Sequence, residues 1–184
     1  MPWETFERSL DFLERSGIDH VGMLGGEPTL HPNFARMVDR ILERGFNLTL
    51  LSGGLMPETA LRRLERAAPE RMTVFVSVMP PGGGRSSEYR RQAQVFRRLG
   101  PRVLLSLTIA SPREELDFML DLIEDYGLLR IVRLGFARPV LGGSNHALHP
   151  RHYPALGRLV TEFGQRAWQR DPDLRFVFDC GWVP

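Results

Sequence analysis

Residues 24–32, Leu24-Gly25-Gly26-Glu27-Pro28-Thr29-Leu30-His31-Pro32, decide how this sequence is read. They follow the short run His20-Val21-Gly22-Met23, which reads as a buried strand entering a turn. Two consecutive glycines at a strand's carboxyl end let the backbone approach a ligand with no Cβ in the way. Glu27 adds a carboxylate at the same point, and Pro28 and Pro32 stiffen the exit. Such a turn suits a cationic group, for instance an ammonium, held between carbonyls and a carboxylate. It also suits a plain connection from strand to helix.

Working outward, helical and strand patterns alternate along the chain. Residues 2–16 put Phe6, Leu10 and Leu13 on one face, and Gly17 stops the helix. Residues 32–44 carry the stripe Phe34, Met37, Val38, Ile41 and Leu42, ended by Gly45. The spacing predicts further helices over 57–68, 86–99, 112–127 and 153–169. Strands are predicted in FNLTLLSGG, TVFVSVMPP, RVLLSLTIAS, LRIVRLGFARP and RFVFDC. Strands joined by helices of this length lie parallel, with right-handed crossovers. The chain is therefore α/β: one domain of six strands and six helices over 1–184, either a doubly wound sheet or a barrel.

Polar residues inside the strands favour the barrel. Ser77 interrupts VFVSVM, Ser106 and Thr108 interrupt LLSLTIA, and Arg133 interrupts IVRLG. A strand buried on both faces would be almost continuously Val, Ile and Leu. Hydroxyls recurring on successive strands predict one wet inner face, with Ser77 sharing the side of Phe75 and Met79. Glycines after strand after strand (Gly25-Gly26, Gly53-Gly54, Gly82–Gly84) put flexible backbone at the carboxyl ends, where both architectures bind ligands.

Composition removes several chemistries. All 24 basic residues are Arg and none is Lys, so the chain holds no phosphate-loop lysine, Schiff-base lysine or pyridoxal-phosphate lysine. Its one Cys, Cys180, cannot form an intrachain disulfide, a Cys-rich zinc site or a self-contained iron–sulfur site. The formal charge of +2 makes nucleic acid an unexpected partner. No apolar run approaches the ~20 residues a membrane span needs, and the first residues are no signal peptide, so a cytoplasmic location is expected.

Strand-GGEPTLHP-helix resembles the second β/α unit of radical S-adenosylmethionine (radical SAM) enzymes. The resemblance implies that Gly25, Gly26 and Glu27 bind the methionine amino group of S-adenosylmethionine, with Pro28 shaping the turn. LLSGG resembles the end of that family's third strand, and VFVSVMPP and LLSLTIAS its fourth and fifth. Ser77 and Ser106 fall where the family places polar contacts to the nucleoside or methionine part. The fold implied is a partial TIM-type barrel with its first strand missing.

The family's CxxxCxxC loop, which holds a [4Fe–4S] cluster, does not occur in these residues. The chain is accordingly expected to be the core of a longer protein that generates a 5′-deoxyadenosyl radical for hydrogen abstraction from an unidentified substrate, with the Cys180 ending favouring a peptide. By itself it would be inactive. Cys180 resembles the first cysteine of an auxiliary-cluster extension beginning near 176–184. The sheet edge left beside Val21–Leu24 is expected to recruit another strand, giving a dimer. Two alternatives stay open: a non-radical β/α-barrel enzyme using Glu27 as base, and a non-catalytic binding domain of the same fold. His146, His149 and His152 are set aside as zinc ligands because Pro150 breaks their run. The Arg clusters at 62–66 and 90–98 read as solvated faces paired with nearby Glu, and the acidic residues between Glu114 and Asp125 as a solvent face.

Overall fold

The computed structural model describes residues 1–80, 86–137 and 148–179. Six helices and six strands alternate: α1 Trp3–Arg15, β1 His20–Met23, α2 Phe34–Glu43, β2 Asn47–Ser52, α3 Glu58–Glu65 and β3 Met72–Ser77. They are followed by α4 Ser86–Leu99, β4 Val103–Ile109, α5 Phe118–Tyr126, β5 Ile131–Phe136, α6 Tyr153–Arg170 and β6 Arg175–Asp179. Every strand pairs parallel with its sequence neighbour, in the order β1-β2-β3-β4-β5-β6. A doubly wound sheet would reverse its order partway. Here the order never reverses, so right-handed crossovers put all the helices on one side of the sheet. The result is an open, barrel-like β/α sheet that does not close.

The side-chain period of two separates the faces. Leu48 and Leu50, Val74 and Val76, Leu105 and Leu107, and Val132 and Leu134 are buried in the core beneath the helices. Phe6 and Leu10 of α1, and Phe34, Val38 and Ile41 of α2, complete that core as their spacing predicts. On the other face, register aligns Ser77 with Ser106 and Ser106 with Arg133. Ser77 is exposed, on the side opposite Val74, Val76 and Val78. The wetness is confined to the strand ends. One layer lower, Leu51, Phe75 and Leu104 are aligned and cover the middle of the inner face.

Two elements differ from the sequence expectation. β1 is not a buried strand: only Val21 is buried, because β1 is a sheet edge with β2 as its sole strand partner among the described residues. The helix expected from 112 starts at Phe118. Pro112 instead sits in a turn, where the Arg113 amide donates to Ser111 Oγ at 3.2 Å and the Ala110 amide to Glu114 Oε1 at 2.8 Å. These local side-chain bonds compete with the helical ladder and win at its first turn. No helix among the described residues is long and apolar enough to cross a membrane.

Candidate functional site

Gly25 and Gly26 adopt φ of 95° and 54°, conformations that L side chains rarely take. A Cβ built at either meets nothing within 4 Å, so the turn faces open space. Glu27 returns to extended backbone and caps the short 3₁₀ turn Pro28–Leu30, where Pro28 is pre-shaped for the first position.

The Glu27 carboxylate is the junction between the first two strand ends. Thr29 donates to Oε1 from its amide (3.2 Å) and its hydroxyl (2.6 Å). Ser52, at the carboxyl end of β2, donates its hydroxyl to the same carboxylate at 2.9–3.0 Å, and the Gly53 amide donates to Oε2 at 2.9 Å. Four donors from this chain therefore converge on one partly exposed carboxylate beside the glycine turn. Its negative charge, fixed in direction, can still attract a cation from the open side.

Gln92 of α4, buried, ties the next pair of strand ends together. Its Nε2 donates to the carbonyls of Gly53 (2.7 Å) and Ser77 (2.8 Å), and its Oε1 accepts from the Met79 amide at 3.4 Å. Gly54 lies against this clip at φ 73°, where a Cβ would stand 2.8 Å from Val76 Cγ1. Gln92 was missed in the sequence, although it stands on the apolar stripe of its helix, three, four and seven residues before Val95, Phe96 and Leu99. Ser52 was likewise missed, since a serine before two glycines reads as turn chemistry.

Farther across the inner face, Arg133 Nη1 donates to Ser106 Oγ at 2.9 Å, and Nη2 is paired with Asp179 at the end of β6. Ser106 is buried within this network, whereas Ser77 is open. The structure thus brings Glu27 and Ser77 to one end of the sheet, linked through Gly53 and Gln92, and places Ser106 with Arg133 beside them. A groove of about 700 Å3 runs from Phe6, Leu10 and Leu13 of α1 along the edge of β1 to Gly25 and Glu27.

Cys180 and His146 lie outside the described residues. His149 accepts from the Arg151 amide at 3.2 Å, and His152 approaches the Arg151 guanidinium. Among the described residues no group of three His, Cys, Asp or Glu is placed to hold a metal. The Arg clusters pair with nearby carboxylates, as expected. Arg63 pairs with Asp39, and Arg98 with Glu58 and Glu65, each across a helix boundary.

Residues 1–81, which include the glycine turn, match the sequence model of the Radical SAM superfamily. Over 58 residues the chain is 36% identical to an S-adenosylmethionine-dependent nucleotide dehydratase of a Thermoplasmatales archaeon (strain ISO4-H5), a match spanning 31% of this chain and 21% of that protein. Its fold is similar to that of SuiB from Streptococcus suis, with a TM-score of 0.80 at 18% identity over 98% of this chain and 44% of SuiB. A SuiB structure bound to S-adenosylmethionine matches equally, and one bound to its precursor peptide SuiA gives a TM-score of 0.79. The chain spans less than half the length of SuiB and about a fifth of the dehydratase. Residues 1–81 are thus similar to the radical SAM superfamily, and the chain as a whole shares its fold with SuiB.

Proposed function

We propose that this chain is the S-adenosylmethionine-binding core of a cytoplasmic radical SAM enzyme. The complete protein would carry a [4Fe–4S] cluster and generate a 5′-deoxyadenosyl radical that abstracts hydrogen from its substrate. The observation that carries the reading is the glycine turn: two positive-φ glycines facing open space, with a fixed carboxylate beside them, at the carboxyl ends of a parallel sheet. Its residues suit the α-ammonium of S-adenosylmethionine. Gly25 and Gly26 offer backbone without a Cβ, Glu27 supplies the countercharge, and Pro28 holds the exit. Ser77 and Ser106 would contribute hydroxyls to the nucleoside or methionine part. The cluster does not fit these residues, because one Cys in the chain cannot supply its three thiolates.

Glu27 acts on the ligand by charge and on the fold by collecting donors. Glu27→Gln keeps the shape and removes the charge. A charge-assisted hydrogen bond contributes about 1.5–3 kcal/mol, so S-adenosylmethionine should bind the variant at least about ten-fold more weakly in calorimetric titration. Equal affinity would remove Glu27 from the site. A wild-type chain that does not bind S-adenosylmethionine at all would overturn the reading.

A further inference from the structure

Two buried polar side chains, Gln92 at 1% exposure and Ser52 at 5%, stand on either side of one peptide group. That peptide joins Gly53 to Gly54. Its carbonyl, on Gly53, accepts from Gln92 Nε2 at 2.7 Å, and its N–H, on Gly54, donates to Ser52 Oγ at 3.0 Å. Glycine permits the approach, since Gln92 Cγ stands 3.1 Å from where a Cβ on Gly54 would be. Ser52 in turn donates to both oxygens of Glu27, at 3.0 Å and 2.9 Å. These groups form one chain of hydrogen bonds, running from the side-chain amide of Gln92 to the Glu27 carboxylate.

The direction of every link is determined. The same Nε2 also faces the Ser77 carbonyl at 2.8 Å, so the nitrogen and not the oxygen of the Gln92 amide belongs at this position. Its Oε1 is thereby turned to accept from the Met79 amide. A peptide whose carbonyl accepts a hydrogen bond is polarised to donate more strongly from its N–H. A serine hydroxyl has one proton. With Gly54 donating to Ser52 Oγ, that proton points away from Gly54 and toward Glu27. Each bond strengthens the next in the same sense, and the last of them ends on the carboxylate. Breaking one link leaves a buried group unpaired, so the links are held together as a unit.

We propose that Gln92 is a positioning residue for Glu27: the relay through the Gly53–Gly54 peptide and the Ser52 hydroxyl fixes where the carboxylate points, and so how well it receives an α-ammonium. The inference rests on the S-adenosylmethionine reading for the identity of the ligand, whereas the relay itself needs none. It is tested first on the ligand-free 184-residue chain, labelled with carbon-13 at the glutamate carboxyl. The Glu27 resonance is assigned by its loss in Glu27→Gln. Gln92→Met keeps the length of the side chain and removes its hydrogen bonds. It should shift the Glu27 carboxylate resonance, and it should no longer do so once Ser52→Ala has broken the relay. A side chain that merely supported the strand ends would move the resonance equally in both backgrounds. An unmoved resonance, or an equal shift with and without Ser52, overturns the proposal. The same comparison with Gln92→Asn, which keeps an amide but sets it back by one methylene, decides the matter if Gln92→Met fails to fold.

S-adenosylmethionine affinity separates the two readings. Gln92→Met should bind S-adenosylmethionine about three- to ten-fold more weakly than the wild type. In the Glu27→Gln background the same substitution should change affinity by less than about two-fold, because both residues act through one carboxylate. Additive losses overturn the positioning role. A wild type without affinity for S-adenosylmethionine overturns the cofactor reading, while the carboxylate resonance still judges the relay by itself.

Discussion

Gly54 is the residue at which the candidate site is least tolerant of change. Its φ of 73° disfavours any Cβ, and the space a Cβ would take is held by Val76 Cγ1 at 2.8 Å and Gln92 Cγ at 3.1 Å. Neither neighbour can withdraw easily, because Val76 is fully buried and Gln92 is bonded to two backbone carbonyls. Gly54→Ala should destabilise the fold by about 1–3 kcal/mol, the cost of overpacking, as read by denaturant unfolding. Gly22→Ala is the control: its Cβ would meet only Leu24 Cδ2 at 3.8 Å, so its midpoint should stay near the wild type's. Gln92→Leu removes the donor from the Gly53 and Ser77 carbonyls. It should cost about 1–2 kcal/mol and weaken S-adenosylmethionine binding as well. Unchanged affinity with lowered stability would restrict Gln92 to a structural role.

At the scale of the element, arginines join each described helix to its neighbour. Arg40 and Arg44 of α2 reach Glu7 and Asp11 of α1, and Arg63 of α3 reaches Asp39 of α2. Arg98 of α4 grips Glu58 and Glu65 of α3, Arg97 lies over the Tyr126 ring of α5, and Arg170 of α6 holds Asp121 and Glu124 of α5. Isolated exposed pairs contribute little, and charges joined into a network contribute more. Hydrogen bonds from Arg98 and then Arg62 hold the Glu58 carboxyl down to about 2, and Arg98 and Arg170 lower Glu65 and Glu124 in turn. Groups depressed in the folded state contribute stability that is present above their unfolded value near 4.5 and lost as pH falls through the folded value. The thermal midpoint should therefore drop between about pH 4.5 and 2. Arg98→Gln should flatten that decline, and an equally steep decline in the variant would count against the assignment.

For the molecule as a whole, the open sheet is the dominant physical fact. Both β1 and β6 have a strand neighbour on one side only among the described residues, and Val177 and Phe178 of β6 are exposed. The β1 edge adjoins the apolar groove formed with α1. An edge with unpaired backbone next to an apolar groove recruits another strand. We expect the 21.0 kDa chain to associate through β1. Sedimentation velocity across a ten-fold concentration range should show the mass rising toward the dimer's. A constant monomer mass would set that expectation aside.

Local spacing determined the elements themselves. The 3.6-residue stripes of α1 and α2, the apolar period of β2 to β5 and the glycine stops are properties of neighbours in the chain, and they survive in the structure to within a few residues. The alternation also implied a parallel sheet, because connections of that length permit nothing else. The one strand misread, β1, was misread because burial depends on what lies beside a strand and not on its composition. The GGEP turn was legible since positive φ demands glycine wherever it occurs. Only the tertiary structure decided that four donors from two separate segments meet on Glu27, that Gln92 clips two strand ends, and that Ser106 and Asp179 fix Arg133. Those contacts join residues 25 to 46 positions apart, or the two ends of a helix crossover. No periodicity links them, because register and crossover geometry, set by packing of the whole sheet, bring them together.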